Sequence, residues 1–309
     1  MSSSKAKRKA QQISGIFNVD KPDGLTSHDV VAAIRRASGE RRVGHAGTLD
    51  PMATGVLLIC IGKGTRMAEY LMGHDKRYRA AIQLGVETDT YDASGEVVAE
   101  RESDDIRVET IQEIIATHFV GEIQQVPPMY SALKRDGVPL YKLARNGIKV
   151  ERKARQVWIY DFDILDYEHP MLVVDVHCSK GTYIRSLAHD LGQALDVGAH
   201  LARLRRMASG DFGIEDAVEL PALLEALERD NWQPYLFPPD RALMDHPAIV
   251  LDDDLVERVR HGQLIPAERP EALESGSLGR AYTETGDFIA VLRYKSDQER
   301  WHPTKVFVS

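Results

Sequence analysis

An α/β fold of the α+β kind is predicted by three features of the patterning along this 309-residue chain. Short apolar or alternating runs of strand length (15–20, 56–61, 76–84, 157–165 and 172–178) are interleaved with segments whose apolar residues recur at helical spacing, as in 108–119 and 184–191. An apolar fraction of 43% suits a sizeable core. After Gly210 the composition changes, and Pro234, Pro238 and Pro239 mark a linker before a smaller second unit from about residue 245.

Taken in order, GIFNVD (15–20) reads as a strand entering a Lys-Pro turn. Thr26 or Ser27 caps the next helix, whose Val30, Val31, Ile34 and Ala37 lie on one side before Gly39 stops it. Arg35, Arg36, Arg41 and Arg42 straddle that end, where some of the positive charge complements the helix dipole. The run VLLICI (56–61) is short enough for a strand buried on both faces. GKGT (62–65) lacks the first glycine of a phosphate loop, and no Ser or Thr directly follows the lysine, so that reading is rejected; Thr65 instead opens a short helix ending near Gly73.

KRYRAAIQL (76–84) alternates as a strand carrying Tyr78. ETDTYDASGE (87–96) misses the alternating ligand positions of a calcium loop and reads as solvated. A helix over 108–119 precedes a proline-containing, basic stretch to Arg155. A strand hairpin follows, then a helix carrying Ile184, Leu187, Ala188 and Leu191. Arg185 lies in its first turns, an unfavourable place for a cation unless a carboxylate elsewhere needs it. AHLARLRRM (199–207) has a basic face through Arg203, Arg205 and Arg206. A short acidic helix (221–228), a strand (248–251), a helix (253–260), a turn at 261–263 and a strand (288–294) complete the chain.

Net charge is −8, but the acidity is C-terminal: residues 1–214 hold 29 Lys+Arg against 28 Asp+Glu, and residues 215–309 hold 10 against 19. The N-terminal part therefore keeps enough cations for a local positive groove. Cys60 and Cys178 are isolated, which gives neither a disulfide framework nor a zinc pattern and makes a reducing cytoplasm the simplest compartment. His177 and Cys178 are excluded as a metal pair because adjacent strand residues point to opposite faces. SSSKAKRKAQQ at the N-terminus has no apolar core after it, so it reads as neither signal peptide nor membrane anchor. Residues 1–12 are expected to be a disordered basic tail, either attracting phosphates or simply solvated.

The stretch GHAGTLDPMATGVL (44–57) is the candidate site. Gly44, Gly47 and Gly55 let the backbone approach a ligand, and Pro51 biases Asp50 away from the helical region. A carboxylate in a shaped loop ahead of a buried strand is either a functional acid or an Asx-type turn.

This stretch resembles the active-site signature of the TruB family of tRNA pseudouridine synthases. Four further pieces resemble that family in matching order: KPDGLTS (21–27), DKRY (75–78), PMYSALK (128–134) and CSKGTYIR (178–185). The resemblance spans residues 15 to about 210. It implies a pseudouridine-synthase fold with a mixed, largely antiparallel central sheet flanked by helices. It places the catalytic domain at 13–240, a mobile RNA-gripping thumb at about 126–153, and a small β-rich, PUA-like domain at 245–309. Asp50 is the implied catalytic residue, with Arg185 as its charge partner and Tyr78 packed against the target base and implicated in handling the C5 proton. Leu204 is implied to line the uracil pocket, His45 to fill the gap or stack near the flipped nucleotide, and Lys21 to lie close to the site. Lys149, Arg152, Lys153, Arg205 and Arg206 are the expected RNA contacts.

The implied reaction isomerises the T-loop uridine at tRNA position 55. Its C1′–N1 bond breaks, the base turns, and C1′ rejoins C5, so no metal or organic cofactor is expected. The expected partner is the T-arm of tRNA, with no membrane association and a monomeric enzyme. Asp50 acts either as a nucleophile at C1′ or as a base toward a ribose proton. Rival readings are a hydrolase pairing Asp20 with Asp50, and a noncatalytic RNA-binding or tRNA-folding protein on the same scaffold.

Overall fold

The computed structural model describes residues 13–131, 134–135, 137–146, 148, 150–268 and 270–307. The expected tail over 1–12 and the expected RNA contact Lys149 lie outside them.

The chain begins with β1 (Gly15–Lys21), almost wholly buried, followed by α1 (Ser27–Ser38). Thr26 caps α1 through a capping box with Asp29, and Gly39 ends it in the left-handed conformation at φ 69°. β2 (Val43–Ala46) and β3 (Ala53–Ile61) form a hairpin around the candidate loop. A 3₁₀ turn leads to α2 (Ala68–Gly73), then β4 (Lys76–Leu84) and a small hairpin of β5 (Val86–Thr88) and β6 (Val97–Glu100). α3 (Val108–His118) and β7 (Gly121–Gln125) precede the described part of the expected thumb: β8 (Lys134–Arg135), β9 (Val138–Pro139) and α4 (Leu140–Arg145).

β10 (Arg155–Glu168) and β11 (Met171–Cys178) are the expected hairpin, and α5 (Ile184–Ala194) leads into β12 (Ala199–Ser209). The remainder of this body is β13 (Phe212–Gly213), β14 (Val218–Glu219), α6 (Leu220–Glu228) and β15 (Leu236–Phe237).

The central sheet runs β14-β1-β3-β12-β4-β11-β10-β7, with β2 and β15 pairing on β3 and β1 and β13 on β12. Only β1–β14 and β3–β12 pair in parallel, so the sheet is mixed and largely antiparallel, as the resemblance implies. α1, α3, α5 and α6 bury their apolar stripes against one face, in a core that joins Val30, Leu57, Ile82, Ile111, Leu187 and Leu223. Burying such side chains is worth about 1.5–3 kcal/mol each. This core gives the site a rigid floor.

A second, five-stranded sheet has the order β16 (Ala248–Leu251), β18 (Leu278–Thr283), β19 (Phe288–Lys295), β20 (Arg300–Val306) and β17 (Ile265–Pro266), with α7 (Asp253–Arg260) packed on it. It docks beside α2: Val291 and Phe307 join Met67 and Leu71, and Lys305 meets Glu69 at 2.6 Å. Among the described residues, no helix is long and apolar enough to cross a membrane.

On α5, Asp190 has no ion-pair or hydrogen-bond partner among the described residues, and burial alone pushes its carboxyl up to about 6. A raised carboxyl contributes stability below its unfolded value of 3.8 that is lost as pH rises through 6. Asp190→Asn is therefore expected to stabilise the protein at pH 7–8, by about 1 kcal/mol after allowing for solvent screening, and hardly at pH 4. Thermal melts at both pH values check this. A gain equal at the two would refute it.

Candidate active site

The loop between β2 and β3 is held from three sides. Ser27, which the sequence offers as a possible cap, instead turns its hydroxyl into the loop: it accepts from Leu49 N at 2.8 Å and donates to Leu49 O at 3.0 Å. Lys21 Nζ donates to Pro51 O at 3.1 Å, and Gly24 N donates to the same carbonyl at 3.0 Å. From β12, Arg206 donates to Val56 O at 2.6 Å and Gly47 O at 3.1 Å. Gly55, at φ 95°, has no room for a Cβ, which would lie 2.2 Å from Arg206 O. Gly44 faces open space and has an ordinary φ, so the freedom expected of it is not used.

Held in this way, Asp50 projects into a cavity of about 310 Å³, also lined by Tyr78, Arg185, Leu204, Lys76 and Ser131. A volume of this order suits one small ring system. Arg185 Nε meets Asp50 Oδ2 at 3.0 Å and Arg185 Nη2 meets Oδ1 at 3.2 Å, a two-point contact that fixes the carboxylate plane. Nη2 also donates to Tyr130 O at 2.8 Å, which brings the PMYSALK stretch to the site. The start of α5 is itself braced, because the Gln125 side-chain amide donates to Tyr183 O and accepts from Tyr183 N, at 3.0 and 2.7 Å.

The structure adds a residue that sequence reading misses. Asp92 lies on the other side of the guanidinium, with Oδ2 at 3.3 Å from Arg185 Nη1, and it is 3% exposed. The acid-rich stretch 87–96 is therefore solvated only in part, at Asp89, Ala93, Ser94 and Glu96. Thr88, Thr90 and Asp92 are buried, Asp92 Oδ1 accepts from Thr90 Oγ1 and Ser94 N, and the loop closes over α5. The signal lies in the alternation Thr88, Thr90, Asp92. A second is Gly95, where a Cβ would meet Thr90 Oγ1 at 2.3 Å. The cation near the helix start is thus answered by two carboxylates.

Burial pushes the Asp50 carboxyl up from the usual range. Arg185 and Lys21 act against that rise, and Asp92 adds to it. Burial likewise raises the Tyr78 phenol, keeping it protonated near neutrality. It also lowers the Lys21 amine to about 8.

The other expected site residues fall as follows. Leu204 is on the cavity wall. Lys21 is fully buried beneath the loop and its amine is engaged by the Pro22 and Pro51 carbonyls, so it braces Asp50's neighbour rather than facing a phosphate. His45 is on β2 outside the cavity lining; burial, then Arg206 and His28, hold its imidazole down.

Arg206, expected on the RNA face, is 1% exposed and engaged with the loop backbone. The reason is that 199–209 is a strand, so neighbouring arginines part: Arg205 turns to a half-exposed ion pair with Asp20 at 2.6 Å, and Arg206 turns inward. Asp20 is thereby occupied by Arg205 and is not among the residues lining the cavity with Asp50, which removes the paired-carboxylate hydrolase. Arg152 donates to Pro127 O at 3.0 Å, and Lys153 is exposed.

Comparison with known proteins places the chain in a family. The family model described as TruB family pseudouridylate synthase (N terminal domain) matches residues 35–184. A second, described as tRNA pseudouridylate synthase B C-terminal domain, matches 185–244. The chain is 44% identical over 295 residues to a tRNA pseudouridine synthase B of Dehalococcoides mccartyi, covering 95% of this chain and 96% of the relative. It is 48% identical over 263 residues to one of Symbiobacterium thermophilum, covering 84% and 85%. Among solved structures, it matches a chain of an H/ACA ribonucleoprotein bound to a substrate RNA containing 2′-deoxyuridine, at TM-score 0.73 and 26% identity, covering 96% of this chain and 85% of that one.

Proposed function

The chain belongs to the TruB family of pseudouridylate synthases, and from that premise we propose that it isomerises uridine to pseudouridine in tRNA, with Asp50 as the catalytic residue. The observation that carries this reading is the two-point Asp50–Arg185 contact inside a cavity that Tyr78 and Leu204 also line. The uridine is the T-loop uridine at position 55, flipped out of the folded RNA at a cost of a few kcal/mol that stacking and phosphate contacts offset.

Asp50 attacks C1′ or removes a ribose proton, and either step needs its ionised form, which Arg185 favours against burial. Leu204 and the Tyr78 ring hold the detached uracil. Because burial keeps the phenol protonated, Tyr78 packs against the base and relays a proton rather than acting as a free anion. Segment 126–153 forms the thumb, with Arg152 and Lys153 toward RNA phosphates and half-exposed Arg205 as a further contact. Residues 13–240 form the catalytic domain, and residues 245–309 act as a PUA-like accessory domain. The enzyme works as a monomer in the cytoplasm, where buried, unpaired Cys60 and Cys178 suit a reducing medium.

Tritium release from tRNA labelled at uracil C5 tests the proposal, with the product mapped to the T-loop. Release with pseudouridine recovered at position 55 is expected. A folded protein that binds tRNA without releasing tritium would overturn the T-loop assignment and favour the noncatalytic reading.

A further inference from the structure

Three residues on one face of α5 grip the 87–92 loop at successive turns. Arg185 takes the Asp92 carboxylate and, at 3.5 Å, Thr90 O. One turn on, the His189 ring stacks on Tyr91 with centroids 3.9 Å apart and planes 12° from parallel. A further turn on, Gln193 hydrogen-bonds the Glu87 carboxylate.

Tyr91 stands between the two acceptors that hold Arg185 Nη1, and its backbone is left-handed at φ 64°. A bulky residue seldom adopts that conformation, which persists only where its surroundings enforce it. Backbone bonds hold the turn on its β12 side, with Tyr91 N donating to Thr88 O at 3.2 Å and Leu201 N donating to Tyr91 O at 3.0 Å, and the ring stack ties it to α5. On the other partner, His189 Nδ1 is buried with no hydrogen-bond partner among the described residues, so that nitrogen does not orient the ring. Burial, aided by Arg152 and opposed by Glu87, keeps the imidazole neutral and suited to stacking.

We propose that Tyr91 and His189 are a positioning pair: their stack fixes the 90–92 turn on α5, the turn presents Thr90 O and the Asp92 carboxylate to Arg185, and Arg185 thereby holds Asp50 in its reactive plane. The inference rests on the isomerase reading, which wild-type turnover establishes before any variant is compared.

Single-turnover tritium release at saturating enzyme, with KM for tRNA, is measured for Tyr91→Ala, Tyr91→Phe, His189→Ala, His189→Phe and the Ala–Ala double variant. Removing either ring is expected to lower the single-turnover rate about 10-fold with KM within about twofold, as for a loss felt in the transition state. The double variant falls no further than the worse single one, and both Phe variants, which keep a stacking ring, recover to within about twofold of wild type. In an Asp92→Asn background, Tyr91→Ala adds no further loss. Melting curves confirm that assays run well below unfolding, and if Tyr91→Ala does not fold, the His189→Ala and His189→Phe pair carries the test. Wild-type rates in folded Ala variants, additive losses, or no rescue by Phe would overturn the proposal while leaving the isomerase reading intact.

Discussion

Asp50→Asn is expected to lower single-turnover tritium release by at least about 10³-fold while leaving tRNA binding within about threefold of wild type. The amide keeps the shape of the carboxylate but removes its charge, so it neither attacks C1′ nor takes a ribose proton at a useful rate. Binding is expected to persist because the cations proposed for the thumb and sheet face attract phosphates without help from the cavity floor. The fold tolerates the change: the loop is pinned by Ser27, Lys21, Gly24 and Arg206 through backbone atoms of its other residues, and Arg185 retains Asp92. Tritium release and filter binding on the same preparations check both halves. Retention of a tenth or more of the wild-type rate would remove Asp50 from the chemistry, and loss of binding in parallel would make it a binding residue.

How much of this site is legible in the sequence depends on whether a signal is local. β4 is legible because KRYRAAIQL buries every second residue. Arg185 is legible because its charge conflicts with its place on α5, and the conflict points to a carboxylate without saying which. β2 is not legible: VGHA is four residues long, holds one glycine and one histidine, and becomes a strand only because β3 offers it a partner. β18 and β20 are equally mixed in composition, and pairing with β19 between them makes them strands.

The instructive failures are Asp92 and Arg206. Asp92 shares the composition of a solvated acidic loop, and only a buried guanidinium from a residue 93 positions later turns it inward. Arg206 counts as surface charge until 199–209 is taken as a strand, when the two-residue period sends it opposite to Arg205. Tertiary partners decide both, and no window of neighbouring residues contains them.

Arg185→Met is expected to lower activity near pH 7 by at least about 10²-fold, less than Asp50→Asn and with a different dependence on pH. Arg185 is the largest influence holding Asp50 ionised against burial, and Asp92 pushes the other way. Without the guanidinium the Asp50 carboxyl rises further, so the acid limb of the rate profile moves to higher pH and the loss is partly recovered in alkaline buffer. Asp50→Asn shows no such recovery.

Stability follows the same sign. A carboxyl raised in the folded state stabilises below its unfolded value and ceases to as pH rises through its folded value, so the Arg185→Met melting temperature falls relative to wild type as pH rises. At neutral pH the penalty is about 3–5 kcal/mol, typical of breaking a buried pair by removing one partner. Arg185→Lys keeps the charge but not the two-point contact, and falls between Met and wild type in rate. A rate profile for Arg185→Met parallel to that of wild type would show that Asp50 owes its ionisation to Lys21 and water instead.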